Sequence, residues 1–174
     1  VYRMLEQLLL AQETELEHRI SKRLLGEFIG SHFLTMTAIS ATILGYNVLG
    51  ADIALTVFID AIAVGFVLFS LIETLGPICQ AHFNPALTLS FIITKNISPR
   101  NGALYMVAQF AGGLAGLLSS HLMCYQNIPT LFTISTISRN GGDFYGEFLG
   151  TFILILVIYG CIRRQSNLTS LAVG

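Results

Sequence analysis

The feature that most constrains this chain is a helix start inside strongly apolar sequence, at Asn84-Pro85-Ala86 within residues 79–90. Proline has no backbone N–H and suits the first turn of a helix, where that donor has no partner. Asn is among the best N-cap residues, and Asn84 directly precedes Pro85. A helix that begins at membrane depth exposes free N–H groups and a positive dipole end. This is tolerated only inside protein or beside a water-filled cavity, so the stretch predicts an element that lines a pore.

The composition places the rest of the chain in a membrane. Hydrophobic residues make up 53% of the sequence and charged residues 11%, against about a quarter charged in soluble domains. A soluble bundle of this composition would expose large apolar patches, so we predict a multi-pass integral membrane protein. The sequence shows no Ser-His-Asp set, no Gly-rich phosphate loop and no metal-ligand spacing among its cysteines and histidines. We therefore expect no enzyme, no cofactor, no metal site and no nucleic-acid partner.

The apolar segments predict four full spans and one shorter segment, because a full span needs about 20 residues. Residues 1–22 form a predicted cytosolic N-terminal segment. Its leucines fit either a helix lying on the membrane surface or a solvated tail: Leu5, Leu8, Leu9 and Leu16. The predicted spans are residues 24–44, 53–72, 103–124 and 144–162, with a re-entrant segment at 79–94. A further apolar segment begins near residue 168.

Positive charge predicts the orientation of these spans. Three clusters flank them: Arg19, Lys22 and Arg23; Lys95 and Arg100; Arg163 and Arg164. If residues 84–94 enter and leave the membrane on the same side, all three clusters fall on the cytosolic side, and Arg139 is the one exception. This agreement supports a re-entrant half-helix and a cytosolic N-terminus. It does not name the membrane.

An internal repeat relates the first and fourth predicted spans. Residues 26–34 and 146–154 share Gly, Glu, Phe, Gly and Leu in register, and the predicted topology makes the two copies run in opposite directions. Inverted repeats are typical of membrane transport proteins. Because charge inside a membrane is costly, we predict that Glu27 and Glu147 each anchor a re-entrant loop by accepting backbone N–H groups. The alternative is a carboxylate that reaches the membrane interface.

With this motif, repeat and half-span, the sequence resembles the major intrinsic protein family of aquaporins and glycerol facilitators. The resemblance covers residues 23–174. Its motifs are residues 26–28, residues 81–88, Gln109 with Gly112-Gly113, and residues 146–152. It implies an all-α membrane helical bundle of six spans and two half-helices in two inverted halves, which assembles as a homotetramer in lipid. We expect residues 23–174 to be an incomplete channel domain that ends before the second Asn-Pro-Ala motif.

The resemblance also implies which residues line the pore. In the family, two Asn side chains meet at mid-membrane and donate to a passing oxygen; Asn84 is the first of them, and Pro85 and Ala86 stack against the second motif. The expected ladder of backbone carbonyls comes from Cys79, Gln80, Ala81 and His82.

Further expectations concern two of these positions, Gln80 and His82, and also Val64 in the second predicted span. Gln80 stands where the family commonly has Gly, so a backbone that favours glycine must accept a side chain. The alternative for His82 is a buried ring that only braces the loop. Counting back from Asn84 places Val64 at the outer filter, where it would favour solutes larger or less polar than water; core packing is the alternative.

The expected function is therefore a passive, single-file channel for water and small neutral solutes such as glycerol. Two alternatives stay open. One is a non-conducting, truncated or regulatory membrane subunit. The other is an inverted-repeat secondary transporter that uses Asp60 or Glu73 within the second span.

Overall fold

The structure is a computed structural model that describes residues 2–132, 138–166 and 168–174, with side chains from residue 19 onward. Helices make up most of these ranges, and no strand occurs in them, which confirms the predicted all-α class. The helices are α1 Tyr2–Ile43, α2 Ile53–Cys79, α3 Pro85–Ile93, α4 Pro99–Met123, α5 Gly141–Arg163 and α6 Thr169–Val173. A π-helical turn, Leu44–Val48, extends α1.

Four of the described helices are long and apolar enough to cross a membrane. They are α1 with its π-helical turn over residues 19–48, then α2, α4 and α5. Helix α1 begins at Tyr2, so the predicted N-terminal segment and the predicted first span form one continuous helix. The leucines of residues 5–16 lie outside the residues whose side chains the structure describes.

Two helices begin earlier than predicted because their caps lie outside the apolar sequence. Ser98 caps α4 by accepting from the Asn101 N–H at 3.3 Å, and Pro99 fills the first turn. Asn140 and Asp143 form a reciprocal capping box at the start of α5. Helix starts predicted from hydropathy alone therefore fall a few residues late, because the first turns of α4 and α5 are polar.

The short helix α3 has nine residues, which span about 14 Å at 1.5 Å per residue, or roughly half of the hydrocarbon core. The Asn84 side chain caps it by accepting from the N–H groups of Ala86 at 2.8 Å and Leu87 at 3.4 Å. The helix start predicted from Asn84 and Pro85 is confirmed.

Small residues on α4 bring α1 and α4 into close contact. Gly112 lies against the carbonyl of Phe28, and Gly116 lies against the carbonyl of His32, so that a Cβ at either glycine would overlap the α1 backbone. One turn further, the Ser120 hydroxyl lies 3.1 Å from the Met36 carbonyl of α1 and 2.9 Å from the Gly116 carbonyl of its own helix. This spacing of small residues is how membrane helices approach closely, and it fixes the frame that carries the site.

The last two helices pack more loosely. Among the described helices, α5 contacts α3 and α6, while much of its remaining surface is exposed. Helix α6 packs on α2, where the Ser170 hydroxyl donates to the Glu73 carboxylate.

Candidate functional site

The segment of residues 80–84 connects α2 to α3 and turns sharply. Gln80, Ala81 and Phe83 have positive φ angles of 72°, 52° and 45°. The left-handed region costs a non-glycine residue about 1–2 kcal/mol, so the surrounding contacts must hold this segment in place. Gln80 adopts the conformation that a glycine would favour.

The Glu27 side chain of α1 supplies the main contacts to this segment. Its carboxylate is fully buried and accepts from the backbone N–H of His82 at 3.0 Å and of Phe83 at 2.8 Å. It also accepts from Gln109 Nε2 of α4 at 2.8 Å. All three neighbours are donors, so an acceptor-only carboxylate satisfies two backbone groups that the sharp turn leaves without a helical partner.

A second layer of polar contacts holds His82. Gln109 Nε2 donates to the buried Thr88 hydroxyl oxygen at 2.9 Å, and His82 Nδ1 lies 3.1 Å from the same oxygen. The His82 ring packs against Phe91 and Tyr105, with centroid separations of 4.5 and 5.4 Å. The structure therefore holds this ring between α3 and α4.

Cys79 differs from the other members of the predicted carbonyl ladder. The Tyr105 hydroxyl of α4 donates to the Cys79 carbonyl at 3.0 Å, and both residues are fully buried. Gly26 of α1 leaves room for Cys79, since a Cβ there would lie 2.9 Å from the Cys79 sulfur. The Cys79 carbonyl thus accepts a hydrogen bond within the helix packing, away from the cavity wall that residues 80–84 form. Sequence reasoning missed Tyr105, because a tyrosine at a buried helix position carries no distinctive spacing.

A cavity of about 340 Å³ lies beside the re-entrant segment. Residues 80–84 form one wall, and apolar side chains from the surrounding helices form much of the rest: Leu34, Leu68, Ile72, Leu87, Phe91, Leu154, Ile158 and Ile162. Asn84 faces this cavity, and its Oδ1 is occupied by the first N–H groups of α3. Its Nδ2 has no protein acceptor among the described residues and remains available as a donor.

The remaining predicted site residues lie around this cavity or apart from it. Pro85 is half-buried and Ala86 is exposed at the start of α3. Val64 is half-buried on α2, one turn before Leu68, and is not among the residues that line the cavity. The predicted filter position thus lies on α2, and the α2 part of the cavity wall begins one turn later in the sequence, at Leu68.

Glu147 is not brought to the re-entrant segment. Its side chain is 75% exposed on α5 and lies 3.7 Å from the Arg139 guanidinium. Gly146 and Gly150 flank it, and no other described part of the protein comes within 4 Å of where their Cβ atoms would be, apart from the adjacent turns of α5 itself. The corresponding glycines of the first copy differ, because Gly26 faces Cys79 and Gly30 faces the Phe83 ring.

Neither of the two α2 carboxylates joins the site. Asp60 Oδ1 is buried and has no hydrogen-bond partner among the described residues. Glu73 is paired with Ser170. The described residues also contain no cluster of three or more His, Cys, Asp or Glu side chains that could hold a metal ion.

Membrane-length helices, together with a short half-helix that follows a buried turn, define a multi-pass membrane protein with a re-entrant segment. The family model "Major intrinsic protein" matches residues 15–174, and the chain belongs to this family. The family predicted from the motifs is thereby confirmed.

Individual relatives agree with this assignment. The chain is 31% identical to the aquaglyceroporin AqpS of Rhizobium meliloti over 91% of its own length and 66% of that protein. It is 29% identical to the putative aquaporin NIP4-1 of Arabidopsis thaliana, covering 89% of the chain and 55% of the relative. It is 28% identical to nodulin-26 of Glycine max, covering 88% and 56%. The chain thus spans between about half and two thirds of the length of these relatives.

Proposed function

We propose that the protein is a passive channel for water and small neutral solutes such as glycerol. The observation that carries this proposal is the cavity beside residues 80–84, with the amide of Asn84 at its wall and the N-terminus of α3 behind it. Membership of a family whose relatives include an aquaglyceroporin and a putative aquaporin supports the same function.

The proposed path runs in single file past the start of α3. A permeating oxygen accepts from Asn84 Nδ2 and then meets the backbone carbonyls of Gln80, Ala81 and His82 as acceptors for its own protons. The positive end of the α3 dipole disfavours cations at this point. A neutral solute with hydroxyl groups can accept from the Asn84 amide and donate to the backbone carbonyls.

The walls of the cavity favour solutes with a hydrocarbon side. Opposite the re-entrant segment, the lining comes from aliphatic side chains such as Leu68, Ile72 and Ile158. A small polyol can place its hydroxyl groups on the segment and its C–H groups on this wall, whereas water gains nothing there. We assign Val64 to the outer part of this path, because it lies on α2 one helical turn before Leu68, outside the described cavity.

The repeat gives Glu147 a proposed role. In the first copy, Glu27 accepts the N–H groups of the re-entrant segment. Gly30 makes room for Phe83 of that segment, and Gly26 makes room for Cys79 directly before it. Glu147, Gly146 and Gly150 offer the same pattern on α5 with open space beside it. We propose that Glu147 anchors a second re-entrant segment. The same proposal includes the predicted topology and assembly. The N-terminus is cytosolic, residues 23–174 belong to a channel domain embedded in lipid, and the protein assembles as a homotetramer.

One observation favours a second function. The buried, unpartnered Asp60 oxygen lies in α2, and unpaired carboxylates within spans often mark proton or ion relays. A secondary transporter that uses Asp60 would couple solute flux to an ion gradient.

Proteoliposomes that carry the protein expressed from its complete gene distinguish these functions. Stopped-flow light scattering would follow water and glycerol flux with and without opposing proton and sodium gradients. A channel gives flux proportional to the solute gradient, unchanged by either ion gradient and by Asp60→Asn. Flux that follows an ion gradient and is lost in Asp60→Asn would establish the transporter, and flux equal to that of empty vesicles would contradict both functions.

A further inference from the structure

Helix α5 is joined to the half-helix α3 through one tyrosine near the ends of both helices. The Tyr159 hydroxyl lies 2.8 Å from Thr94 Oγ1 and 3.4 Å from Ser90 Oγ. Its ring packs against Phe91, with centroids 5.4 Å apart. Phe91 in turn contacts the His82 ring, so this tyrosine ends an aromatic row that starts in the re-entrant segment.

The Tyr159–Thr94 bond is part of a small polar cluster at the end of α3. Thr94 Oγ1 lies 2.8 Å from the Ser90 carbonyl, which also accepts the Thr94 backbone N–H at 3.0 Å. Asn96 Nδ2 donates to the same hydroxyl oxygen at 2.9 Å. Either hydroxyl can supply the proton that Tyr159 and Thr94 share, and phenylalanine at position 159 removes the bond in both cases.

Both of these helices line the cavity, together with α1, α2, α6 and the re-entrant segment. Phe91 lines it from α3, and Ile158 and Ile162 line it from α5, on either side of Tyr159 in the sequence. Few other contacts join α3 to α5 among the described residues. The Tyr159 contact is therefore one of the few direct links between α3 and α5 beside the cavity.

We infer that Tyr159 is a positioning residue that sets the width of the cavity and hence the largest solute that passes. The inference rests on the proposed channel function and deepens it, because it names a residue that selects solutes without touching them. Tyr159 acts through its hydroxyl on Thr94 and through its ring on Phe91.

The test compares five proteins in proteoliposomes: wild type, Tyr159→Phe, Thr94→Val, the double variant and Thr94→Ser. The readout is the permeability ratio of a four-carbon polyol to glycerol, which is independent of the number of channels per vesicle. Tyr145→Phe is the matched control, since Tyr145 is an exposed tyrosine on the same helix.

Losing a neutral hydrogen bond corresponds to roughly a threefold to tenfold change in an equilibrium. We expect Tyr159→Phe and Thr94→Val each to raise the polyol-to-glycerol ratio about threefold, within that range. The double variant should match Thr94→Val, since that substitution already removes the partner of the Tyr159 hydroxyl. Thr94→Ser and Tyr145→Phe should keep the wild-type ratio.

An unchanged ratio in Tyr159→Phe, or additive effects in the double variant, would overturn the inference while leaving channel function intact. Wild-type vesicles without solute flux would overturn the proposed function instead. In that case, the unfolding equilibria of the same variants still decide whether Tyr159 and Thr94 are coupled. Independent effects on unfolding would contradict the positioning contact.

Discussion

Replacing Glu27 by glutamine should destabilise the protein strongly although the two side chains have nearly the same shape. Glu27 is fully buried and accepts three hydrogen bonds, two of them from backbone N–H groups of the re-entrant segment. Glutamine offers one acceptor oxygen and one NH₂ group. Its NH₂ group would face a donor, whichever way the amide is turned.

The magnitude follows from these contacts. A buried N–H that loses its acceptor costs about 1–3 kcal/mol, and each remaining bond loses about 1 kcal/mol when its acceptor becomes neutral. Glutamine also avoids the cost of burying a charge, which offsets part of the loss. We expect the free energy of unfolding to fall by about 2–4 kcal/mol.

The assay is unfolding of the purified protein in mixed detergent micelles, followed by circular dichroism. Glu73→Gln is the matched control, because Glu73 is an exposed carboxylate on α2 that accepts from Ser170, and glutamine keeps that acceptor. We expect this control to change the free energy by less than about 0.5 kcal/mol. Equal effects of the two substitutions would refute the role assigned to Glu27.

Two further substitutions test the backbone of the site and the helix frame. Gln80→Gly should stabilise the protein by about 1 kcal/mol, because Gln80 has a φ of 72° and its side chain makes no hydrogen bond among the described residues; a fall in the unfolding midpoint would contradict the strained turn. Gly112→Ala should destabilise the protein by about 1–3 kcal/mol, because the added Cβ overlaps the Phe28 carbonyl. Gly113→Ala is the control and should be tolerated, because its Cβ would meet only the Thr35 hydroxyl, at 3.4 Å. Equal midpoints for the two alanine variants in the same unfolding assay would argue against the close α1–α4 contact.

Much of the architecture could be predicted from the sequence because membrane helices have strong local signals. Length, hydropathy and the Asn-Pro pair at residues 84–85 predicted the long helices and the start of α3. Helix starts at Pro99 and Gly141 were missed because they depend on polar caps rather than on hydropathy.

The site was harder to predict, because its contacts join residues that lie far apart in the chain. Glu27 was singled out by its charge inside a span, and its partners in the turn follow from that need for donors. The contacts of Tyr105 with Cys79 and of Tyr159 with Thr94 carry no such signal. A buried tyrosine fits many packing arrangements, and only the fold decides which carbonyl or hydroxyl its proton reaches.

The measurement that tests the central claim most directly is glycerol flux through Asn84→Asp in proteoliposomes, compared with wild type at equal protein content. Aspartate caps a helix as well as asparagine does, so the start of α3 and the unfolding midpoint should be retained. The substitution removes the Nδ2 donor that faces the cavity and places a carboxylate there. If permeating solutes pass this amide, glycerol flux should fall by roughly tenfold, the equivalent of one lost hydrogen bond. Glycerol flux equal to that of wild type, from a protein with an unchanged unfolding midpoint, would show that the path does not run past the start of α3.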